Sequence, residues 1–373
     1  MSTVVIVHAT ERTGMPHPAF DDAVRRSLHT AVEPSNYRLD CFVTNELAYN
    51  DVLTRCWPTG TTGGYVGVGP CQNLTYVGAL RPRCAVIVDS RLDNVLLHLI
   101  FKLIMERATN PVEYLATLLS RQIGAPSPGQ GPDFLISAVE AGPASAELFD
   151  ANLKWLTTEL SGRWPLTEMH QARVAALYEE FFRRQLDITN VDAPTAANLD
   201  EAPTLREVIR ARTSRGVNLH FLTDSDRYDY VRQMHLDGRI IPILGNVGTA
   251  ETVDRVNELL RTHDEALATL YVSNVEEHVL VRYRIENERL VDRPNPEGLL
   301  IDPYGAAYDE MLAQWGRLDA ERDALLIRFF FPGTFGDRSF GVFPYLQPDV
   351  RRLGSFLRDY REHRPKSVFE TYL

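Results

Sequence analysis

The chain of 373 residues is 44% hydrophobic and 24% charged, and its 39 basic against 50 acidic side chains give a formal net charge of −11. This is globular composition with apolar residues enough for a sizeable core, and the length suits two domains or one domain with a large insertion. The acidic balance argues against nucleic acid as a partner, because phosphate binding needs clustered Lys and Arg. The most apolar stretch, residues 95–105, is interrupted by His98 and Lys102 and is far short of the ~20 residues of a membrane span. The opening MSTVVIVHATERTG lacks the basic start and long apolar run of a secretory signal. Cys41, Cys56, Cys71 and Cys84 form no C-x-x-C pair. Free thiols in a cytoplasmic protein are therefore expected.

In chain order, residues 3–7 suit a short strand and residues 20–32 an amphipathic helix. Glycines then cluster from Gly60 to Gly69, and residues 65–68 form an apolar run entering a Gly-Pro turn, as a buried parallel strand does. Residues 72–80 suit a short helix stopped near Pro82, and residues 84–88 a second buried strand ending at Asp89. Asp93 or Asn94 is the expected cap of an apolar helix reaching Ala108. Residues 109–215 break this rhythm with helical patterns at 111–122, 144–160 and 165–186. They read as an all-helical insertion, the expected place of substrate selection.

Alternation then resumes with a helix over 225–236, a strand over 239–244, a turn at 245–248, a helix over 250–263 and a strand over 268–273. A helix over 304–315, strands over 325–331 and 340–346 and a helix over 349–362 complete the chain. The expected fold is α/β, a Rossmann-like, mostly parallel open sheet. Its first half lies in residues 1–108, the insertion in 109–215 and its second half in 216–373.

The sharpest feature is YVGVGPCQN, with Asp89 twenty residues beyond Gly69. Glycines at a strand-to-helix turn let the backbone approach a ligand, and a carboxylate ending the next strand accepts ribose hydroxyls. A dinucleotide fingerprint needs a third glycine where Gln72 stands, after a Pro70 that donates no N–H. No Gly-Lys-Ser/Thr follows to make a phosphate-binding P-loop. A ligand with ribose and no phosphate chain remains, and S-adenosylmethionine fits. A purely structural turn with a solvent-facing Asp89 is the alternative.

The segments GGYVGVGPCQNLTYVGALRPRCAVIVDSR, RIIPILGNVG and TLYVSNVE resemble the class I S-adenosylmethionine-dependent methyltransferases. The likeness is nearest to a small bacterial branch marked by GVGPxQN and YVSNVE. That branch carries Glu where this chain has Cys71, which implies a changed polar contact near the methionine end. The resemblance implies that Gly67 and Gly69 pass beneath the amino-acid portion of the cofactor. It puts Asp89 on the ribose with Arg91 close by, Asn246 opposite the adenine amino group, and Asn274 at the edge facing the transferable group. Gln72 and Asn73 are expected to contact the methionine carboxylate or to close the pocket.

Two further clusters stand beside these. SNVEEH (273–278) gathers an amide, carboxylates and an imidazole after a strand. Asn274, Glu276 and His278 are its catalytic candidates, with Glu276 or His278 as general base; a helix start is the alternative. Asn45, Glu46 and Tyr49 are the polar residues of a segment expected to fold over the cofactor, or else to begin a capped helix. Asp224, Asp226 and Asp229 read as a helix start and not as a metal site. The expectation is a cytoplasmic transferase using S-adenosylmethionine, a methyltransferase acting on a small molecule. It has no metal, no nucleic-acid or membrane partner, and a homodimer as its possible assembly. The rival readings are transfer or cyclisation of the aminocarboxypropyl arm, which releases methylthioadenosine, and a non-catalytic nucleoside-binding scaffold.

Overall fold

The computed structural model describes residues 18–30, 42–56, 63–124, 129–189, 203–276, 284–286, 289–291, 306–330 and 347–363. Helices α1 (Pro18–His29) and α2 (Tyr49–Cys56) precede β1 (Gly64–Val68), α3 (Gln72–Leu80), β2 (Cys84–Asp89) and α4 (Leu92–Arg107). Then come α5 (Pro111–Leu118), α6 (Pro132–Glu140), α7 (Ala146–Arg163), α8 (Glu168–Arg184) and α9 (Leu205–Arg210). Strands return with α10 (Ser225–Leu236), β3 (Ile240–Leu244), α11 (Ala250–Thr262) and β4 (Leu267–Ser273). A small hairpin of β5 (Arg284–Glu286) and β6 (Arg289–Val291) follows. The last elements are α12 (Ala306–Trp315), β7 (Ala320–Phe330), β8 (Gln347–Arg352) and α13 (Leu353–His363).

The protein is α/β, with a six-stranded sheet in the order β3-β2-β1-β4-β7-β8. Neighbours run parallel except β8, which is antiparallel to β7. β1, β2, β3 and β4 are buried along nearly their whole length, as parallel strands covered on both faces must be. The order starts at β1, runs outward to β3, and returns to place β4 on the other side of β1. That reversal is the switch point at which open α/β sheets bind ligands, beyond the carboxyl ends of the strands. The arrangement is compatible with a Rossmann-like fold.

α4 explains the insertion. Its sequence, LDNVLLHLIFKLIMER, is buried on almost every face, so one side must meet something other than the sheet. α8 and α7 of the insertion cover that side, and β3 and α10 meet the other. Each fully buried Leu or Ile there contributes roughly 1.5–3 kcal/mol. Sheet and insertion thus share one continuous core. The insertion is helical among the described residues, apart from one antiparallel bridge between Arg121 and Ala144. All of its α-helices but α6, which starts from Gly131, begin at side-chain caps: Asn110 accepts from Glu113 N, Ser145 from Leu148 N, and Thr167 and Thr204 form capping boxes. α1 lies against β3, where Ser27 Oγ accepts the Leu244 N–H at 3.0 Å.

Several expectations are corrected. α4 starts from Arg91 and not from Asp93 or Asn94, because Asn94 is turned back to Asp89 at 2.6 Å and Asp93 pairs with Arg173. The strand expected over 325–331 begins at Ala320. Asp349–Arg352 is strand, not helix: β8 pairs with β7 from Gln347 to Arg352, and helix begins at Leu353. Only from there do apolar residues recur at helical spacing, with Leu353, Phe356, Leu357 and Tyr360 buried. The strands expected over 3–7 and 340–346 lie outside the described residues.

Candidate functional site

At the end of β1, Gly69 has φ +80 and open space where a side chain would stand. Gly67 serves another purpose, since a Cβ there would meet Asn73 Oδ1 at 2.0 Å and the Tyr65 hydroxyl at 2.6 Å. Asn73 ties the turn together. Its Nδ2 donates to the carbonyls of Val68, Gly69 and Pro70 at 2.9–3.0 Å, and its Oδ1 accepts from the Tyr65 hydroxyl at 2.9 Å. Below the turn, His98 Nε2 donates to the Gly69 carbonyl at 2.9 Å. Burial lowers the pKa of this imidazole, with the Gly69 carbonyl and Asp89 pulling it back up. Gln72, first residue of α3, is 1% exposed, and neither atom of its amide has a partner among the described residues.

At the end of β2, the Asp89 carboxylate is fully engaged. Oδ1 accepts from Arg91 N at 2.8 Å and Arg91 Nε at 3.0 Å, while Oδ2 accepts from Arg91 Nη2 at 3.0 Å and Asn94 Nδ2 at 2.6 Å. All four lone-pair positions of the carboxylate are taken. Beyond β3, Gly245 N donates to the Asp89 carbonyl at 2.9 Å. Asn246 follows, exposed, its Oδ1 accepting from Gly248 N at 2.9 Å in a side-chain turn.

At the end of β4, Ser273 is left-handed with φ 52, a conformation costing a residue with a Cβ about 1–2 kcal/mol. Its hydroxyl meets Glu46 Oε1 at 2.6 Å, and the Tyr271 hydroxyl meets Glu46 Oε2 at 2.8 Å. Burial pushes the Glu46 carboxyl up to about 8, against the pull of the Ser273 and Tyr271 hydroxyls. The Tyr271 ring lies 4.7 Å from that of Tyr76 on α3, which stacks on Tyr65. Asn274 and Asn45 are half-buried beside this group, and Asn274 Oδ1 is 3.3 Å from Ser273 Oγ. Glu276 is held elsewhere: it is 1% exposed and accepts from Arg328 at 2.9 Å and from the Tyr308 hydroxyl at 2.5 Å. That buried ion pair gives Glu276 an anchoring part instead of a base's free lone pair.

Gly69, Gln72, Asp89, Arg91, Asn246, Asn274, Asn45 and Glu46 thus share the carboxyl edge of the sheet. Tyr49 does not join them, because its hydroxyl donates to the Val208 carbonyl at 2.7 Å and fastens α2 to α9. His278 lies outside the described residues. The sequence reading missed Tyr271 and Tyr76. Strand alternation was the available signal, since Thr269, Tyr271 and Ser273 fall on one face of β4. Among the described residues no group of three or more His, Cys, Asp or Glu is arranged to hold a metal. Asp224 caps α10 by accepting from Arg227 N at 2.9 Å. Cys71 and Cys84 are free and buried, Cys56 is buried, and no described helix is long and apolar enough to cross a membrane.

Strand order and edge define an α/β protein with a mostly parallel sheet, compatible with a Rossmann-like fold, and a candidate ligand site at its switch point. The chain belongs to the family described as Domain of unknown function (DUF7790), whose model matches residues 41–123 and 166–288. The matched segments contain Glu46, the glycine turn, Asp89, Asn246, Asn274 and Glu276, and they omit α6 and α7. No curated protein matches the chain.

Proposed function

We propose that the protein is an S-adenosylmethionine-dependent transferase, a methyltransferase of the class I type acting on a small molecule. The observation that carries this reading is the reversal of strand order between β1 and β4. It aligns Gly69, Asp89, Asn246 and Asn274, each following or ending a different strand, along one edge. The residues fit the cofactor: Gly69 leaves the space above the turn open, and Gln72 offers an unpartnered amide. A bulky Gln72 where a dinucleotide's pyrophosphate requires glycine supports a nucleoside without a phosphate chain.

S-adenosylmethionine would supply an electrophilic methyl group at this edge. The chain's part is to bind and orient. Asp89 takes the ribose hydroxyls by exchanging Arg91 for them, since its lone pairs are otherwise filled. Asn246 offers an amide at the end of β3, and Asn274 stands at the rim where the transferred group meets its acceptor.

Calorimetric titration of the full chain with S-adenosylmethionine, S-adenosylhomocysteine and NAD tests the reading, after a check for copurified ligand. Binding of the two adenosyl compounds, absence of NAD binding, and loss of both in Asp89→Ala are the expected results. Silence from all three compounds sinks it. One observation favours a second reading, a scaffold that does not bind a nucleoside: the Asp89 carboxylate is already saturated by Arg91 and Asn94.

A further inference from the structure

A buried carboxylate ordinarily keeps a cation beside it. Here Glu276 has Arg328, Glu106 has Lys102 and Arg163, Glu265 has Arg83, and Asp89 has Arg91. Glu46, with no exposed surface, is different. Its carboxyl oxygens meet two hydroxyls, Tyr271 and Ser273, and among the described residues no Lys, Arg or His pairs with it. Ser273 reaches it from a left-handed backbone.

A second, independent observation points the same way. Gln72 and Tyr76 stand four residues apart on one face of α3, and Tyr76 is the residue whose ring meets Tyr271. Both amide atoms of Gln72 and the Tyr76 hydroxyl are buried without partners among the described residues. Because α3 leaves β1 at the carboxyl edge, Gln72 lies one turn nearer that edge than Tyr76. An acid without a cation on the β4 side and an orphaned amide and phenol on α3 are thus joined through the Tyr271 and Tyr76 rings at the switch point. Aromatic faces attract cations, and the orphaned acceptor atoms call for N–H donors.

We propose that Glu46, Gln72 and Ser273 form a binding site for a primary or secondary amine, held as its ammonium ion. The Glu46 carboxylate balances the charge, and the Gln72 carbonyl oxygen accepts an N–H bond. A quaternary ammonium, lacking N–H, leaves that oxygen unpaired and binds less well. Asn45, Ser273 and Asn274, all half-buried, form the rim. Under the transferase reading the site makes an amine the acceptor class, but the cluster supports the site without that reading.

Binding carries a proton signature. Tyr65 from β1, Tyr76 from α3 and Tyr271 from β4 face the carboxyl, and burial raises all three phenols well above their ordinary range, so they stay neutral. Glu46, raised to about 8, is mostly protonated in the empty protein at neutral pH. An arriving ammonium ionises it and expels that proton. Release therefore falls away as pH rises through the Glu46 value, where the carboxyl is already ionised.

The test is calorimetric titration of the full chain with methylamine, ethanolamine, spermidine and tetramethylammonium, in buffers of different ionisation enthalpy. At least one amine is expected to bind at millimolar concentration or below, with nearly one proton released at neutral pH and little in alkaline buffer. Glu46→Gln, which keeps the resting site neutral and so folds, should weaken binding at least 30-fold, roughly the effect of truncating a buried charge pair. Gln72→Leu should weaken it too without lowering the thermal midpoint. The proposal is overturned if no amine binds, if tetramethylammonium binds as well as the amines, or if Glu46→Gln leaves binding unchanged. Because these probes carry no nucleoside, their failure is distinct from failure of the adenosyl titration.

Discussion

At the β2 end of the sheet's carboxyl edge, Asp89 accepts four hydrogen bonds, three of them from Arg91. At the β4 end, Glu46 meets two hydroxyls and, among the described residues, no cation, and the Gln72 amide at the start of α3 has no partner among them. Two acids that share one edge of the sheet therefore stand in opposite states. Asp89 is half-screened and satisfied by its own neighbours. Glu46 is deeper, unpaired and forced toward its neutral form. A protein that needed only stability would treat both as it treats Asp89. The difference teaches that the β4 end is the less self-sufficient part of the edge, and so the part most in want of a ligand.

The largest test turns a satisfied acid into an unsatisfied one. Arg328→Met strips Glu276 of its ion pair, leaving it among the described residues the Tyr308 hydroxyl, and takes from Asp349 one of its two arginines, Arg351 remaining. Denaturant unfolding should show a loss of about 3–5 kcal/mol. A near-neutral result would mean that buried acids here do not need cations, and the contrast with Glu46 would collapse.

Next in size is Glu46→Gln in the empty protein. The folded value of about 8 exceeds the ordinary 4.5, so the native state holds a proton that the unfolded chain gives up between those values. Stability from this group is complete below the unfolded value and is lost as pH rises through the folded one. The substituted protein should therefore gain on the parent from about pH 5 upward and level off above the Glu46 value, by several kcal/mol at most. Thermal midpoints across that range measure it, and parallel pH profiles for the two proteins would remove the proposed state of Glu46.

Asn73→Ala should cost about 1–3 kcal/mol, because it removes the side-chain donor that ties three turn carbonyls together and leaves the Tyr65 hydroxyl without its Asn73 acceptor. It should also weaken adenosyl binding, since Gly69 loses its place. The smallest effect belongs to Arg91→Ala. Its partly exposed pair with Asp89 adds no more than about 1 kcal/mol to stability. Under the proposed function its removal should tighten adenosyl binding, roughly threefold. Weaker binding would instead make Arg91 a ligand contact and not a competitor.

The sheet was legible because β1, β2, β3 and β4 are apolar runs closed by turns, a pattern that a buried parallel strand can hardly avoid. The insertion was legible as helices for the same periodic reason, and its burden of covering α4 follows from the apolar character of α4 itself. β8 was not legible. QPDVRR carries one apolar residue besides its proline and is strand because β7 offers it an antiparallel edge, a long-range cause that local pattern does not record. At the site, the sequence brought Gly69, Asp89, Asn246 and Asn274 to one edge through strand endings alone. It could not show that Arg91 folds back onto Asp89, or that Glu46 and Tyr271, 225 residues apart, share a hydrogen bond. Tyr49 illustrates the converse: a polar tip near a glycine turn whose hydroxyl is consumed by the backbone of α9.

The outer strand β3 has a consequence of another kind. Its five residues, IIPIL, end the sheet on an apolar edge. An uncovered edge of that sort is a template on which other chains can add as strands. Here α1 lies across it, and the Ser27 hydroxyl takes the N–H of Leu244 that a foreign strand would otherwise seek. Arg255 adds a bond to the same hydroxyl at 3.0 Å. A chain lacking its first thirty residues would retain the whole candidate site and lose this cover. Its failure would then show as precipitation and strand-paired oligomers, with the chemistry of the far edge untouched.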